Sequence, residues 1–262
     1  MPAAPSVTFD LWHTLVYLPP EEEGRYMDRL TDAAVDVLES APVVPGRSEV
    51  DRPTLRARFE AASLRAVEAS REGRAVTPER QIQEAGEEVG RRPAAGAYDL
   101  ALERLLAETS FRVEPTALDV LRALREAGYR VGLISNTVGE PGRLLRPVLH
   151  RFGLDQYLEA LVFSDEHPWA KPAPEIFRAA LTALGSEPAL ALHVGDGWPD
   201  LEGARRAGLR GGILFTGLQQ YAPEYEGMYV RSPRVVPPTA EIARLPELLP
   251  LVRTLLPRPE AR

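Results

Sequence analysis

The chain has 262 residues, of which 44% are apolar and 26% charged, a composition typical of a soluble globular protein with one large or two smaller domains. A net charge of −7 argues against nucleic acid as the main partner, and no apolar run approaches the roughly 18 residues that indicate a membrane span. Because cysteine is absent, disulfides and thiolate chemistry are excluded, and with no signal peptide evident we expect a cytoplasmic protein.

The first 15 residues are predicted to form a strand followed by a reactive turn. An apolar, β-prone run at residues 7–9 leads directly into Asp10, and a polar turn follows. In an open parallel sheet, ligands bind at the carboxyl ends of the strands. A carboxylate at this position therefore predicts a functional site.

Residues 16–112 show helical patterns and no convincing strand. A first helix includes residues 27–38, and further helices are predicted at residues 53–71, from the N-cap pair Thr77-Pro78 onward, and at 95–106. The first helix has an apolar stripe formed by Met27, Leu30, Ala34, Val37 and Leu38. This part of the chain is predicted to be an inserted, all-helical unit.

From residue 115 onward, helices and strands alternate. The predicted helices are at 116–127, 141–152, 174–184, 200–207 and 239–256, and the predicted strands are at 130–134, 161–163, 190–194 and 212–215. Residues 217–238 are predicted to be a loop, and 257–262 a frayed tail. This alternation predicts an α/β fold, with a mostly parallel, Rossmann-like sheet and helices on both faces.

Several polar residues follow the predicted strands and should meet at one edge of the sheet. They are Asp10, Ser135, Lys171 and Asp196. Lys171 is the single lysine of the chain and Asn136 the single asparagine, and both fall at this edge. Since lysine is a compact, flexible point charge, we interpret Lys171 as a site where arginine would not serve. His193, inside a predicted strand, is interpreted as a core residue rather than a metal ligand.

Four motifs in this order resemble the haloacid dehalogenase superfamily. They are Asp10-x-x-x-Thr14, Ser135, Lys171-Pro172, and Gly195-Asp196-x-x-x-Asp200 followed by Gly203-Ala204. The resemblance implies an α/β core formed by residues 1–15 and 113–262. It also implies that residues 16–112 form a helical cap domain that closes over the active site.

The resemblance implies a catalytic role for Asp10 and a magnesium site around it. A carboxylate can attack phosphorus or an activated carbon and form a covalent aspartyl intermediate. Asp196 and Asp200 are hard oxygen ligands that suit Mg²⁺. In the family, the nucleophile also holds the metal, and so does the backbone carbonyl two residues after it, which here belongs to Trp12.

The remaining motif residues are expected to act on the transferred group. Lys171 would supply positive charge to the nucleophile and to this group. Ser135 and the backbone N–H groups of Asn136 and Thr137 would bind phosphoryl oxygens. Thr14 would hold the first loop by side-chain hydrogen bonds.

Trp12 departs from the phosphatase pattern, where an aspartate protonates the leaving oxygen, a contribution of typically about 10²–10⁴-fold. An indole has no usable proton near neutral pH. An aromatic residue at this position resembles the L-2-haloacid dehalogenases, which generally lack the metal-binding aspartate that Asp196 provides here.

Three hypotheses therefore stay open: a Mg²⁺-dependent phosphatase of a small molecule, a 2-haloacid dehalogenase-like hydrolase, and a catalytically weak binding or regulatory protein. The sequence does not indicate an oligomeric state.

Overall fold

The computed structural model describes residues 3–218 and 236–256. Most of the loop predicted at 217–238 and the tail predicted at 257–262 lie outside the described residues. Within the described ranges, no helix is both long and apolar enough to cross a membrane.

A six-stranded parallel sheet organises the α/β part of the chain. Its strands lie in the order β5 (Ala160–Phe163), β4 (Arg130–Ser135), β1 (Ser6–Phe9), β6 (Ala191–Gly195), β7 (Gly211–Phe215) and β8 (Ala240–Ile242). The central strand β1 pairs with β4 on one side and β6 on the other, so that Phe9 lies between Leu133 and Val194. This arrangement confirms the predicted α/β fold.

Helices cover both faces of the sheet, as the alternation predicted. They are α5 (Ala117–Glu126), α6 (Gly142–Arg151), α7 (Pro174–Ala183), α8 (Trp198–Ala207) and α9 (Leu248–Leu255). Gly208, which follows α8, has φ 73°, a left-handed conformation that ends a helix without the cost a Cβ would add.

Four helices make up the inserted segment. They are α1 (Pro20–Ser40), α2 (Arg52–Arg71), α3 (Pro78–Val89) and α4 (Ala97–Glu108). The predicted cap of α3 is present, because the Thr77 hydroxyl accepts a hydrogen bond from the Arg80 N–H at 3.1 Å. The buried face of α1 differs from the prediction: Tyr26 and Val35 are buried, whereas Met27 is 39% exposed.

Two predictions about strands are wrong. Residues 16–112 do contain strand structure, because β2 (Val16–Tyr17) pairs antiparallel with β3 (Arg112–Val113) where the chain leaves and re-enters the α/β part. The helix predicted at 239–256 begins only at Leu248. The preceding residues instead add β8 to the open edge of β7, and Pro246, which has no N–H, falls between strand and helix.

The division into a core of residues 1–15 and 113–262 and a cap of residues 16–112 stays a prediction. All strands of the large sheet in the described chain lie outside residues 16–112. Buried side chains from both parts, such as Leu38, Phe59 and Leu133, belong to one hydrophobic cluster.

Candidate active site

The sheet brings the predicted motif residues together. Asp10 follows the central strand, Ser135 ends β4 on one side, and Asp196 follows β6 on the other. Lys171 comes from the loop before α7, and Asp200 from the first turn of α8. Because parallel strands end at the same edge, residues far apart in sequence become neighbours there.

Lys171 is buried between two carboxylates. Its ammonium group donates hydrogen bonds to Oδ1 of Asp10 and, at 2.7 Å, to Oδ1 of Asp200. Burial alone would lower the pKa of Lys171, but the charges of Asp10 and Asp200 raise it above its usual value. The lysine therefore stays protonated and holds positive charge against both carboxylates.

Asp200 is held by three donors. Besides Lys171, the ring Nε2 of His193 lies 2.9 Å from Oδ1, and the Gly197 N–H donates to Oδ2 at 3.1 Å. Burial opposes ionisation, but the charge of Lys171 and the hydrogen bond with His193 keep the pKa of Asp200 well below its usual range. Asp200 is therefore an ionised, oriented carboxylate.

His193 was interpreted as a core residue, and it is fully buried in β6. Sequence reasoning missed its contact with Asp200. The signal that could have pointed to it is a polar side chain inside an otherwise apolar strand, next to a motif carboxylate.

Three carboxylates form a group that could hold a metal ion. Oxygen atoms of Asp10, Asp196 and Asp200 all lie within 4.8 Å of one another. Burial, followed by the charges of Asp10 and Asp200, raises the pKa of Asp196 to about 8. A divalent cation would relieve this repulsion, and carboxylate oxygens are the ligands that Mg²⁺ prefers. The residues present therefore fit such an ion.

Two hydroxyl groups at the site have no protein partner. The side-chain oxygens of Ser135 and Thr14 are buried and make no hydrogen bond within the part of the chain that the structure describes. For Thr14 this contradicts the expected side-chain hydrogen bonds. Backbone bonds hold the loop instead, since the N–H groups of Leu15 and Val16 both donate to the Leu11 carbonyl at 2.9 Å. A buried hydroxyl without a partner costs free energy, so each of these groups would gain from a hydrogen bond that the described chain does not supply.

Asn136 contacts the backbone of Lys171. Its side-chain oxygen accepts the Lys171 N–H at 2.7 Å, and its amide nitrogen donates to the Lys171 carbonyl at 2.9 Å and to the Ser70 hydroxyl at 3.0 Å. Asn136 thus joins the lysine loop to α2 of the inserted segment.

The prediction that the Thr137 N–H binds a phosphoryl oxygen is wrong for this structure. That N–H donates to the hydroxyl of Ser164 at 2.8 Å, and the Thr137 hydroxyl donates to Asp165 at 2.6 Å. Thr137 therefore organises the loop after β4.

The loop after Asp10 contacts the inserted segment through two side chains. The Trp12 ring packs on Phe111 with centroids 5.3 Å apart. His13 has φ 55°, and its Nε2 lies 3.0 Å from Oε1 of Glu23 on α1. Burial would lower the pKa of His13, but the hydrogen bond with Glu23 and the charge of Asp196 raise it.

A cavity of about 480 Å³ lies between the helices of the inserted segment and the carboxyl edge of the sheet. Asp10, Trp12, Lys171, Asp196 and Asp200 form its floor. Side chains of α1, α2, α3 and α4 form the opposite wall. A volume of this size suits a small-molecule ligand.

Comparisons with known proteins agree on one family. A family model described as "haloacid dehalogenase-like hydrolase" matches residues 6–208. A phosphoserine phosphatase of Thermus thermophilus is 32% identical over 206 residues, which cover 76% of this chain and 79% of that protein. A phosphoglycolate phosphatase of Cereibacter sphaeroides is 39% identical over 114 residues, which span 44% of this chain and only half of that relative.

The solved structure of a phosphatase from Thermococcus onnurineus has a similar fold. It superposes with a TM-score of 0.61 at 22% identity, covering 97% of this chain and 98% of that one.

Proposed function

Because this chain belongs to the haloacid dehalogenase-like hydrolase family, we propose that it is a Mg²⁺-dependent phosphatase of small phosphate monoesters. The observation that carries the proposal is the group of three carboxylates, Asp10, Asp196 and Asp200, beside the buried Lys171. A phosphate dianion approaching Asp10 is repelled unless positive charge is present, and the three carboxylates are suited to hold a divalent cation that supplies this charge.

Asp10 acts as the nucleophile in this proposal. Its carboxylate oxygen attacks phosphorus, the bond between phosphorus and the ester oxygen breaks, and an aspartyl phosphate forms. Water then hydrolyses this acyl phosphate and restores Asp10. Lys171, held against Asp10, stabilises the negative charge that develops on the transferred group.

Mg²⁺ would be held by Asp10, Asp196, Asp200 and the backbone carbonyl of Trp12, and it would supply charge neutralisation to the phosphoryl group. The buried hydroxyl of Ser135 and the backbone N–H of Asn136 would bind phosphoryl oxygens. Asn136 additionally positions Lys171 through its paired hydrogen bonds.

Trp12 restricts the substrates that this machinery handles well. An indole donates no proton to a leaving alkoxide near neutral pH. The leaving oxygen therefore departs unprotonated or takes its proton from water, which favours substrates with a good leaving group. The same tryptophan supports a second candidate, carbon–halogen hydrolysis, since a halide leaves without protonation.

A metal-controlled screen tests the proposal. We expect wild-type protein to release inorganic phosphate from monoesters with Mg²⁺, to lose this activity in EDTA, and to release no halide from 2-haloacids. Asp10→Asn should remove turnover while keeping the fold, because a neutral amide is a poor nucleophile. Halide release that resists EDTA would replace the phosphatase by the dehalogenase. A variant that retains turnover would exclude the covalent mechanism.

A further inference from the structure

Several large apolar side chains lie on the wall of the cavity opposite the carboxylates. They belong to α1 and α2 and are Met27, Leu30, Phe59, Leu64 and Val67. Met27 is 39% exposed and Leu64 60% exposed, so protein atoms leave part of each apolar side chain uncovered. These side chains offer an apolar surface to a ligand in the cavity.

Among the cavity-lining residues that the structure describes, no lysine or arginine is free to pair with a second anionic group. Lys171 is the sole lysine or arginine among these described residues, and its ammonium already contacts Asp10 and Asp200. The imidazole of His13 lies against Glu23 and Asp196.

Three further acidic side chains line the cavity away from the carboxylate group. Glu23 contacts His13, Glu60 lies 3.4 Å from Arg56, and Glu140 accepts a hydrogen bond from Tyr26. Glu140 is buried, and burial raises its pKa. A carboxylate or second phosphate on the substrate would lie near these acidic groups, and no lysine or arginine among the described lining residues is free to offset the repulsion.

We infer that the organic group of the substrate is largely apolar and carries no carboxylate or second phosphate. This inference rests on the proposed phosphatase function and specifies its substrate class. The inferred substrate differs from the substrates named for two similar proteins, since phosphoglycolate and phosphoserine both carry a carboxylate. Combined with Trp12, it points to monoesters with an apolar leaving group of low basicity, such as aryl phosphates.

One pair of substrates tests the inference directly. Phenyl phosphate and 4-carboxyphenyl phosphate differ only in a carboxylate, which lies at the end of the molecule remote from the phosphorus. The carboxyphenolate is the better leaving group, so chemistry alone favours the carboxylated ester. We expect wild-type protein with Mg²⁺ to show kcat/KM at least about 10-fold higher for phenyl phosphate, because the cavity disfavours the second anion. Equal or higher kcat/KM for the carboxylated ester would overturn the inference and leave the phosphatase in place.

A matched pair of variants locates the selectivity. Leu64 on α2 lines the cavity, whereas Leu100 on α4 is 62% exposed and lies outside it. Leu64→Arg should reduce the preference for phenyl phosphate by about 10-fold, since it supplies a cation to the carboxylate. Leu100→Arg should leave the preference unchanged. Circular dichroism and thermal unfolding of both variants check that neither arginine alters the fold.

The outcomes separate two kinds of failure. If the two variants show the same preference, the cavity wall that α1 and α2 contribute does not select the organic group, and the inference is wrong. If wild-type protein with Mg²⁺ hydrolyses other phosphate monoesters but neither aryl ester, the inferred substrate class is wrong and the phosphatase stands. If it releases phosphate from no monoester, the proposed function fails, and the substrate class fails with it.

Discussion

The ring Nε2 of His193 lies 2.9 Å from Oδ1 of Asp200, and both side chains are buried. An ionised carboxylate only accepts hydrogen bonds, so Nε2 carries the proton in this contact. On the opposite side of the ring, Nδ1 lies 2.8 Å from the hydroxyl of Thr8. The imidazole is therefore held between β1 and the first turn of α8, and it fixes the orientation of the Asp200 carboxylate. His193 is a positioning residue for the carboxylate group.

His193→Ala should weaken Mg²⁺ binding by about 10-fold or more, because residues that orient metal ligands have effects of this size. Isothermal titration with Mg²⁺ measures the affinity. His193→Gln should restore part of it, since an amide can donate to Asp200. Val194→Ala on the same strand is the matched control for lost packing, and it should keep the wild-type affinity. Equal affinities in His193→Ala and Val194→Ala would show that the imidazole only fills space.

Asp196→Asn should abolish Mg²⁺-dependent activity together with the calorimetric Mg²⁺ signal, because it removes one hard oxygen ligand. In EDTA the same variant should be more stable than wild type by a few degrees in Tm, roughly the effect of 1 kcal/mol. At neutral pH this gain is expected because wild-type Asp196, whose pKa is raised to about 8, must take up a proton on folding, a cost that asparagine does not carry. Thermal unfolding with and without Mg²⁺ measures both effects. A variant that titrates Mg²⁺ normally would refute the metal assignment.

Glu140→Gln should change how stability depends on pH. Burial raises the pKa of Glu140, while the hydrogen bond from Tyr26 only partly opposes the shift. A carboxyl whose pKa is higher in the folded state binds more protons folded than unfolded. Its contribution therefore becomes less favourable as pH rises above the unfolded value of about 4.3, until the folded pKa is passed.

Relative to wild type, Glu140→Gln should thus gain stability as pH rises above about 4.3, and the gain should level off once the folded pKa of Glu140 is passed. Urea unfolding in EDTA across this range measures the difference without a contribution from bound metal. A difference that is constant with pH would mean that Glu140 ionises as freely in the folded as in the unfolded chain.

Trp12→Asp tests whether Trp12 occupies the position of a general acid that this chain lacks. If it does, kcat on alkyl phosphates should rise by 10-fold or more, equivalent to about 1.4 kcal/mol of barrier, since a general acid typically contributes more than this. Acyl phosphates should gain little because their leaving group departs without a proton. Since Trp12 packs on Phe111, kcat must be measured at saturating substrate. Trp12→Asn is the control for the missing ring, and an equal rate in both variants would contradict the missing-acid account.

The sequence by itself determined the features that depend on local pattern. The apolar runs before Asp10, Ser135 and Asp196 predicted the strands that carry these residues, and Thr77 predicted the start of α3. Strand periodicity and N-cap chemistry involve residues a few positions apart, so they can be recognised without knowing the fold. The family resemblance rested on the same short motifs.

Only the tertiary structure decided which side chains contact each other across the sheet. Thr8 and His193 are 185 positions apart, and Asn136 reaches both Ser70 and Lys171. It also placed Met27 at the cavity, although the helical stripe predicted it to be buried. The strand at Ala240–Ile242 forms because β7 offers an unpaired edge, which a local pattern does not contain. Hydrogen bonds and burial depend on the neighbour that folding supplies, and no spacing within one segment specifies that neighbour.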